Sequence, residues 1–215
     1  MPLIRLSNEL VFPPVHLGEP EGLLAIGGDL STERLLLAYR SGIFPWYEEN
    51  PILWWSPDPR FVLLPNELKV SKSMHQLIKR NAFEFTINKA FRDVINNCKT
   101  IPRRGQHSTW ITEEVKNAYI RLHALGYAHS AEAWQNTELV GGLYGIRMGK
   151  VFFGESMFSN ASNASKYAFI KYVTALMAEG VQLIDCQVYT EHLESLGAKM
   201  IKRADFIGLL HELIR

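Results

Sequence analysis

AHSAEAWQNTELVGGLYGIRMGKVFFGESMFS, residues 128–159, reads as three strands in succession, near 128–134, 138–147 and 150–158. Two short turns, QNT and Met148-Gly149, join them, so neighbouring strands run antiparallel. The period then becomes helical. Asn163 or Ser162 opens a helix to about Glu179, with Phe169, Tyr172, Val173, Leu176 and Met177 as its buried stripe and Gly180 at its end. VQLIDCQV (181–188) reads as a strand, and helices follow near 190–196 and 204–214. A meander, a helix, a further strand and closing helices make an α+β domain with a central, mostly antiparallel sheet flanked by helices.

Upstream, Thr112 is placed to cap a helix reaching about Leu125, with Glu113 and Glu114 favourably set in its first turn. A helix near 71–80 carries Lys72, Gln76, Lys79 and Arg80 on one side and Met74, Leu77 and Ile78 on the other. FEFTIN (83–88) alternates as a strand, and a short helix covers 89–97. The first 65 residues are rich in Pro, Gly and Trp, with turns at PPV, GEPEG, IGGDLS and SPDPR. Their one clear helix spans about 31–40, with Ser31 as N-cap and Leu35, Leu36 and Tyr39 as its apolar stripe. The expected division is a small, irregular N-terminal α+β domain over 1–65 and a main domain over 66–215. The strand–strand–strand–helix–strand–helix order resembles the acyl-transferase core of many N-acetyltransferases, a likeness of fold rather than substrate.

Composition excludes several classes. Of 215 residues, 47% are hydrophobic and 21% charged, as in an ordinary globular protein and unlike a disordered one. No stretch approaches the roughly 18 apolar residues that span a bilayer. Arg5 and Glu9 interrupt what a secretory signal would need to keep apolar. The two cysteines, Cys98 and Cys186, form no metal-type pair and suit free thiols in a reducing, cytoplasmic compartment. Seven histidines form neither HxxH nor HExxH, so no metal site is expected.

Charge is unevenly spread. Residues 65–110 hold nine basic side chains (Lys69, Lys72, Lys79, Arg80, Lys89, Arg92, Lys99, Arg103, Arg104) against Glu67, Glu84 and Asp93. The segment therefore carries +6 and the remainder −5, giving the chain its net +1. Such a split suits a polyanionic partner, although solvated helix faces account for it equally well.

Five segments stand out: GLLAIGGDLS (22–31), GIFPW (42–46), ILWWSPDPR (52–60), GESMFS (154–159) and LIDCQV (183–188). With STWI (108–111), LVGGLYG (139–145) and NASK (163–166), in this order and spacing, they resemble the leucyl/phenylalanyl-tRNA–protein transferase family from about residue 20 to the last helix. The resemblance implies transfer of Leu or Phe, and Met less well, from aminoacyl-tRNA to the α-amino group of proteins beginning with Arg or Lys. It implies no cofactor and a role in marking proteins for degradation. Asp185 and Gln187 match positions assigned a proton relay there, and Glu155 a position that holds the acceptor.

The residues themselves fit such chemistry. In a strand, i and i+2 share a face, so Asp185 and Gln187 are expected to point one way and Ile184, Cys186 and Val188 the other, with Glu155 facing the same cleft. A structurally hydrogen-bonded Asp is the plain alternative. Aminolysis of an ester needs alignment of the amine, removal of a proton and stabilisation of an oxyanion. A neutral amide is a very weak base, which favours Asp185 as base or orienter and Gln187 as a positioning group. Leu143, Met157 and Phe169 match the family's aminoacyl side-chain pocket, and Met suits a slot that accepts both Leu and Phe. Apolar residues at such places are otherwise ordinary core. Trp46 and Trp110 match positions beside the terminal adenosine, and Asn163 and Ser165 begin a helix whose N–H groups suit a phosphate or ribose oxygen, or merely a cap. Trp54 and Trp55 are expected to pack between the two domains. Lys72, Lys79 and Arg80 suit phosphates of the tRNA acceptor stem.

Two departures are visible: Thr190 stands where relatives can carry Asn, and the chain stops at Arg215 where some extend further. Two rival readings remain. A CoA-dependent N-acetyltransferase needs a glycine-patterned pyrophosphate turn, and FSNASNAS has none. A non-catalytic tRNA-binding module leaves Glu155, Asp185 and Gln187 without purpose.

Overall fold

The computed structural model describes residues 4–101 and 110–214. Arg103, Arg104 and the first two residues of STWI lie outside the described residues. The elements are β1 (Ile4–Leu6), β2 (Leu23–Gly27), α1 (Thr32–Arg40), β3 (Phe44–Pro45), β4 (Leu53–Trp55), β5 (Arg60–Leu63), α2 (Lys72–Lys79), β6 (Glu84–Ile87), α3 (Phe91–Thr100) and α4 (Glu113–Ala124). They continue with β7 (Ala128–Gln135), β8 (Glu138–Met148), β9 (Val151–Ser159), α5 (Ala164–Ala178), β10 (Leu183–Gln187), α6 (Glu191–Glu194), β11 (Lys199–Ile201) and α7 (Arg203–Leu213).

Seven strands form the main sheet in the order β11-β5-β10-β9-β8-β7-β6. Its pairings are antiparallel except β9 with β10, which α5 connects as a crossover. The N-terminal part holds more regular structure than its turn-rich sequence suggests, a small sheet ordered β1-β2-β4-β3. Strands of two to five residues are too short for alternation to register. β5 lies before residue 65 yet pairs within the main sheet, between β11 and β10.

Alternation on the long strands divides the core. Tyr144, Ile146 and Phe153 enter a cluster shared with the N-terminal part, α3, α4 and α7, while Leu143, Phe152 and Ile184 enter a second cluster with α5. Phe169, Tyr172, Val173 and Leu176 of the expected α5 stripe are buried, whereas Met177 is 46% exposed. α5 begins close against β8: a Cβ on Gly141 would lie 2.6 Å from the Ala164 Cβ. Gly145 is equally crowded, by the Phe153 carbonyl and the Phe152 ring, and adjoins a bulge in the β8–β9 pairing. The glycines of LVGGLYG thus admit a helix and a strand where side chains would not fit.

Ser31, Ser71, Thr112 and Thr190 accept the N–H of Arg34, Met74, Val115 and Leu193, capping α1, α2, α4 and α6. Asn163, the expected cap of α5, is left-handed at φ 67° and its side chain makes no cap hydrogen bond. Trp54 is buried in the shared cluster, with Nε1 donating to the Gly27 carbonyl at 2.8 Å. Trp55 instead props Trp46: its Nε1 donates to the Trp46 carbonyl at 2.7 Å, and the two rings lie 5.8 Å apart.

Candidate active site

The parallel pairing of β9 and β10 ends at Phe153 and Asp185. Beyond that point β9 runs on to Ser159, and a cavity of about 600 Å3 opens beside the strands. Its apolar wall includes Leu143, Met157, Phe169, Trp46 and Trp110, and its polar wall includes Glu155, Ser165, Asp185 and Gln187. Asn163 does not line it, because its left-handed backbone leaves the side chain exposed beside Ser162. Lys72, Lys79 and Arg80 are exposed on α2, outside the cavity, and make no ion pair among the described residues.

Glu155 is the centre of the polar wall. Its Oε1 accepts from the Tyr39 hydroxyl at 2.8 Å and from Gln187 Nε2 at 2.8 Å, and its Oε2 accepts from the Tyr119 hydroxyl at 2.9 Å. The two phenol oxygens also contact each other. Burial pushes the Glu155 pKa up to about 7; the neighbouring Asp185 charge adds to the rise, while Tyr39, Tyr119 and Gln187 oppose it. Burial, and next the Glu155 charge, hold both phenols well above the ordinary tyrosine range, so they remain protonated donors.

Asp185 is differently held. Arg60 grips it with Nε on Oδ1 at 2.8 Å and Nη2 on Oδ2 at 2.6 Å, and Gln187 N–H donates to Oδ1 at 3.0 Å. The guanidinium is sandwiched between the Phe44 and Phe206 rings, 4.7 and 4.6 Å from their centroids, and donates to the Gly42 carbonyl at 3.2 Å. Strand alternation holds for Ile184 and Cys186, which face α5, and for Asp185, which faces the other layer. At Gln187 β10 slips register against β5 and φ is +65°, and the side chain lines the same cavity as Asp185 and Glu155. The same turn brings the Gln187 amide onto Glu155. Cys186 also lines the cavity, but burial holds its thiol protonated and leaves no thiolate nucleophile.

Three contributors escape the sequence reading. Tyr39 is there a member of an apolar stripe, Tyr119 one side chain of a helix, and Arg60 the last letter of ILWWSPDPR. The signal in Arg60 is only its place at the end of a motif; the tyrosines give none, since they meet Glu155 across 116 and 36 positions. Among the described residues no group of His, Cys, Asp and Glu side chains is arranged to hold a metal ion, and no helix is long and apolar enough to cross a membrane.

The fold and cavity define an α+β transferase, with an apolar slot and a tuned carboxylate at the parting of two parallel strands. The sequence profile described as leucyl/phenylalanyl-tRNA protein transferase matches residues 62–211, and that of the family's N-terminal domain matches 28–58. The leucyl/phenylalanyl-tRNA–protein transferase of Syntrophobacter fumaroxidans is 57% identical over 213 residues, covering 99% of this chain and 91% of its own length. That of Flavobacterium johnsoniae is 56% identical over 206 residues, covering 95% and 97%. A GCN5-related N-acetyltransferase-like protein from Streptococcus suis superposes with a TM-score of 0.40 at 11% identity, covering 80% of this chain and 66% of its own. The chain belongs to the leucyl/phenylalanyl-tRNA protein transferase family and is an aminoacyltransferase. The acetyltransferase and non-catalytic readings give way to that membership.

Proposed function

We propose that the protein transfers Leu or Phe, and Met less well, from aminoacyl-tRNA to the α-amino group of proteins beginning with Arg or Lys, marking them for degradation in the cytoplasm. The observation that carries the mechanism is the Glu155 carboxylate, held by two phenols and the Gln187 amide on the polar wall of an apolar cavity. The aminoacyl side chain lies against Leu143, Met157 and Phe169, and the terminal adenosine takes Trp46, Trp110 and Ser165.

The free amine attacks the ester carbonyl, loses a proton, and expels the ribose oxygen, which must gain one. A carboxyl with a pKa of about 7 performs both transfers at neutral pH, first as base and then as acid. Its surroundings suit the intermediate state. Tyr39, Tyr119 and Glu155 make three mutual contacts but the phenols supply only two protons, and the proton taken from the amine completes the ring. Gln187 has a second amide N–H and a carbonyl oxygen to align the amine. Asp185, with both oxygens on Arg60, fixes the Gln187 backbone and acts as orienter rather than base.

Charged Leu-tRNA, a peptide beginning with Arg, and the purified protein test the reading directly. A peptide one Leu longer is the expected product, with Glu155→Gln slower by about 10²–10⁴-fold. Absence of product with the unaltered protein overturns the function; an undiminished rate in Glu155→Gln overturns the mechanism.

A further inference from the structure

His192 lies on α6, five residues past Gln187, and lines the same cavity. No step above uses it. Its Nε2 is buried and has no hydrogen-bond partner among the described residues. Buried polar atoms are almost always paired, so an orphan on a side chain that lines a substrate cavity suits a partner that the substrate brings.

The surroundings set the charge of that partner. Lys166, in the first turn of α5, is near enough for its ammonium to depress the His192 pKa, second to the effect of burial. Lys166 makes no ion pair or hydrogen bond among the described residues. The first turn of α5 contains no acidic residue, and the side chain of Asn163 does not cap it. Ser165, between them, lines the cavity. On α6 itself, Glu191 is exposed to solvent and Glu194 is engaged by the Tyr189 hydroxyl at 2.8 Å. A buried, unpartnered ring nitrogen beside an ammonium that makes no ion pair among the described residues suits an anion, with Nε2 as the protonated nitrogen.

The position relates this spot to the tRNA. The ring of Phe83, between α2 and β6, meets that of Tyr167 in the first turn of α5, with centroids 5.3 Å apart. A strand leaving the cavity across this turn therefore comes next to α2, where Lys72, Lys79 and Arg80 are exposed. We propose that His192 and Lys166 form the subsite for the 5′-phosphate of the terminal adenosine, an assignment that rests on aminoacyl-tRNA being the donor. His192 donates its Nε2 proton to a phosphate oxygen, and Lys166 balances the charge. The subsite joins the adenosine in the cavity to the backbone grip on α2, and it reads phosphate without reading sequence.

Two minimal donors isolate it: 3′-O-leucyl-adenosine, and the same ester carrying a 5′-monophosphate, each assayed with a peptide beginning in Arg. In the unaltered protein the phosphorylated donor is expected to have a KM lower by about tenfold or more, as one hydrogen bond to a charged group gives. His192→Leu and Lys166→Ala each reduce that KM ratio, and together they bring it to about one. His192→Gln and Lys166→Arg, which keep a donor or the charge, retain part of it. A ratio near one in the unaltered protein overturns the proposal, as does a ratio undiminished in the double variant. Should His192→Leu fail to fold, the Lys166 pair alone decides. If neither minimal donor nor Leu-tRNA supports transfer by the unaltered protein, the transferase reading itself falls, which is a different result from transfer without a phosphate preference.

Discussion

Arg60 grips Asp185 through two parallel hydrogen bonds, at 2.8 and 2.6 Å, and neither side chain is more than 1% exposed. Removing one partner of such a pair leaves the other charge buried, at a cost of about 3–5 kcal/mol. Asp185→Ala is therefore expected to lower unfolding free energy by that amount in urea denaturation, and Arg60→Met added to it to restore most of the loss. Activity lost by Asp185→Ala alone is then a folding effect mixed with a positional one. If Asp185→Ala unfolds at the same urea concentration as the unaltered protein, the pair is not the structural element described.

On the proposed mechanism, the rate of transfer depends on pH through Glu155. With a pKa of about 7, the fraction ionised and able to accept a proton rises as pH climbs through neutrality. Each phenol stabilises the ionised form, and a hydrogen bond to a charged group is worth about 1.5–3 kcal/mol. Tyr39→Phe or Tyr119→Phe is thus expected to move the midpoint of the kcat profile upward by about one to two pH units. An unmoved midpoint in both variants would separate the profile from Glu155.

Glu155 also weakens the fold above its unfolded pKa. Its native pKa is raised from 4.5 to about 7, so the native state binds more protons than the unfolded state between those values, and stability falls as pH rises through that window. The loss amounts to about 3 kcal/mol once pH exceeds 7. Glu155→Gln is expected to recover up to about that much at pH 8 and little at pH 4, while slowing transfer. Parallel thermal or urea unfolding of the two proteins at both pH values checks the sign. A purely structural Glu155 gives no such pairing of gained stability with lost activity.

Legibility in sequence followed the range of the interactions. The meander, α5, β10 and the capped helices rest on local periodicity and side chain–backbone bonds within three residues, so 128–188 can be read directly. β11 and the small N-terminal sheet are strands of two to five residues whose pairing is non-local, and nothing local announces them. The site divides in the same way. Leu143, Met157, Phe169, Glu155, Asp185 and Gln187 follow from strand register and family motifs. Their surroundings do not: Arg60 reaches Asp185 across 125 positions. The bulge and positive φ at Gln187, which set how its amide meets Glu155, leave no mark in the sequence. Asn163 misled because a residue with a capping side chain adopted a left-handed backbone without capping.

On the proposed function, donor selectivity resides in an apolar slot, which discriminates weakly. A missing methylene is worth about 1–3 kcal/mol, so the wall is expected to leak toward Met. Phe169, 3% exposed on α5, faces the slot together with Leu143 and Met157. Phe169→Leu enlarges the slot and should shift the Phe-to-Leu ratio of kcat/KM toward Phe by about tenfold. Competition between charged Phe-tRNA and Leu-tRNA measures it. An unchanged ratio places the aminoacyl side chain elsewhere.

The proposed grip on the tRNA body is electrostatic. Lys72 and Lys79 project from α2 and Arg80 follows at its end, exposed and without counter-ions among the described residues. Each phosphate contact releases a counter-ion, contributing about 0.7–0.9 to the slope of log K against log salt. Reversing all three charges is expected to weaken tRNA binding and to flatten that slope by about 2 to 3, with little dependence on acceptor-stem sequence. A leucyl-adenosine donor, which has no stem, should be affected far less. Filter binding across a salt series, alongside transfer from the two donors, separates the outcomes. Equal loss with tRNA and with the minimal donor indicates that the reversals damaged the cavity, and an unchanged salt slope with weaker binding removes phosphate from the account of α2.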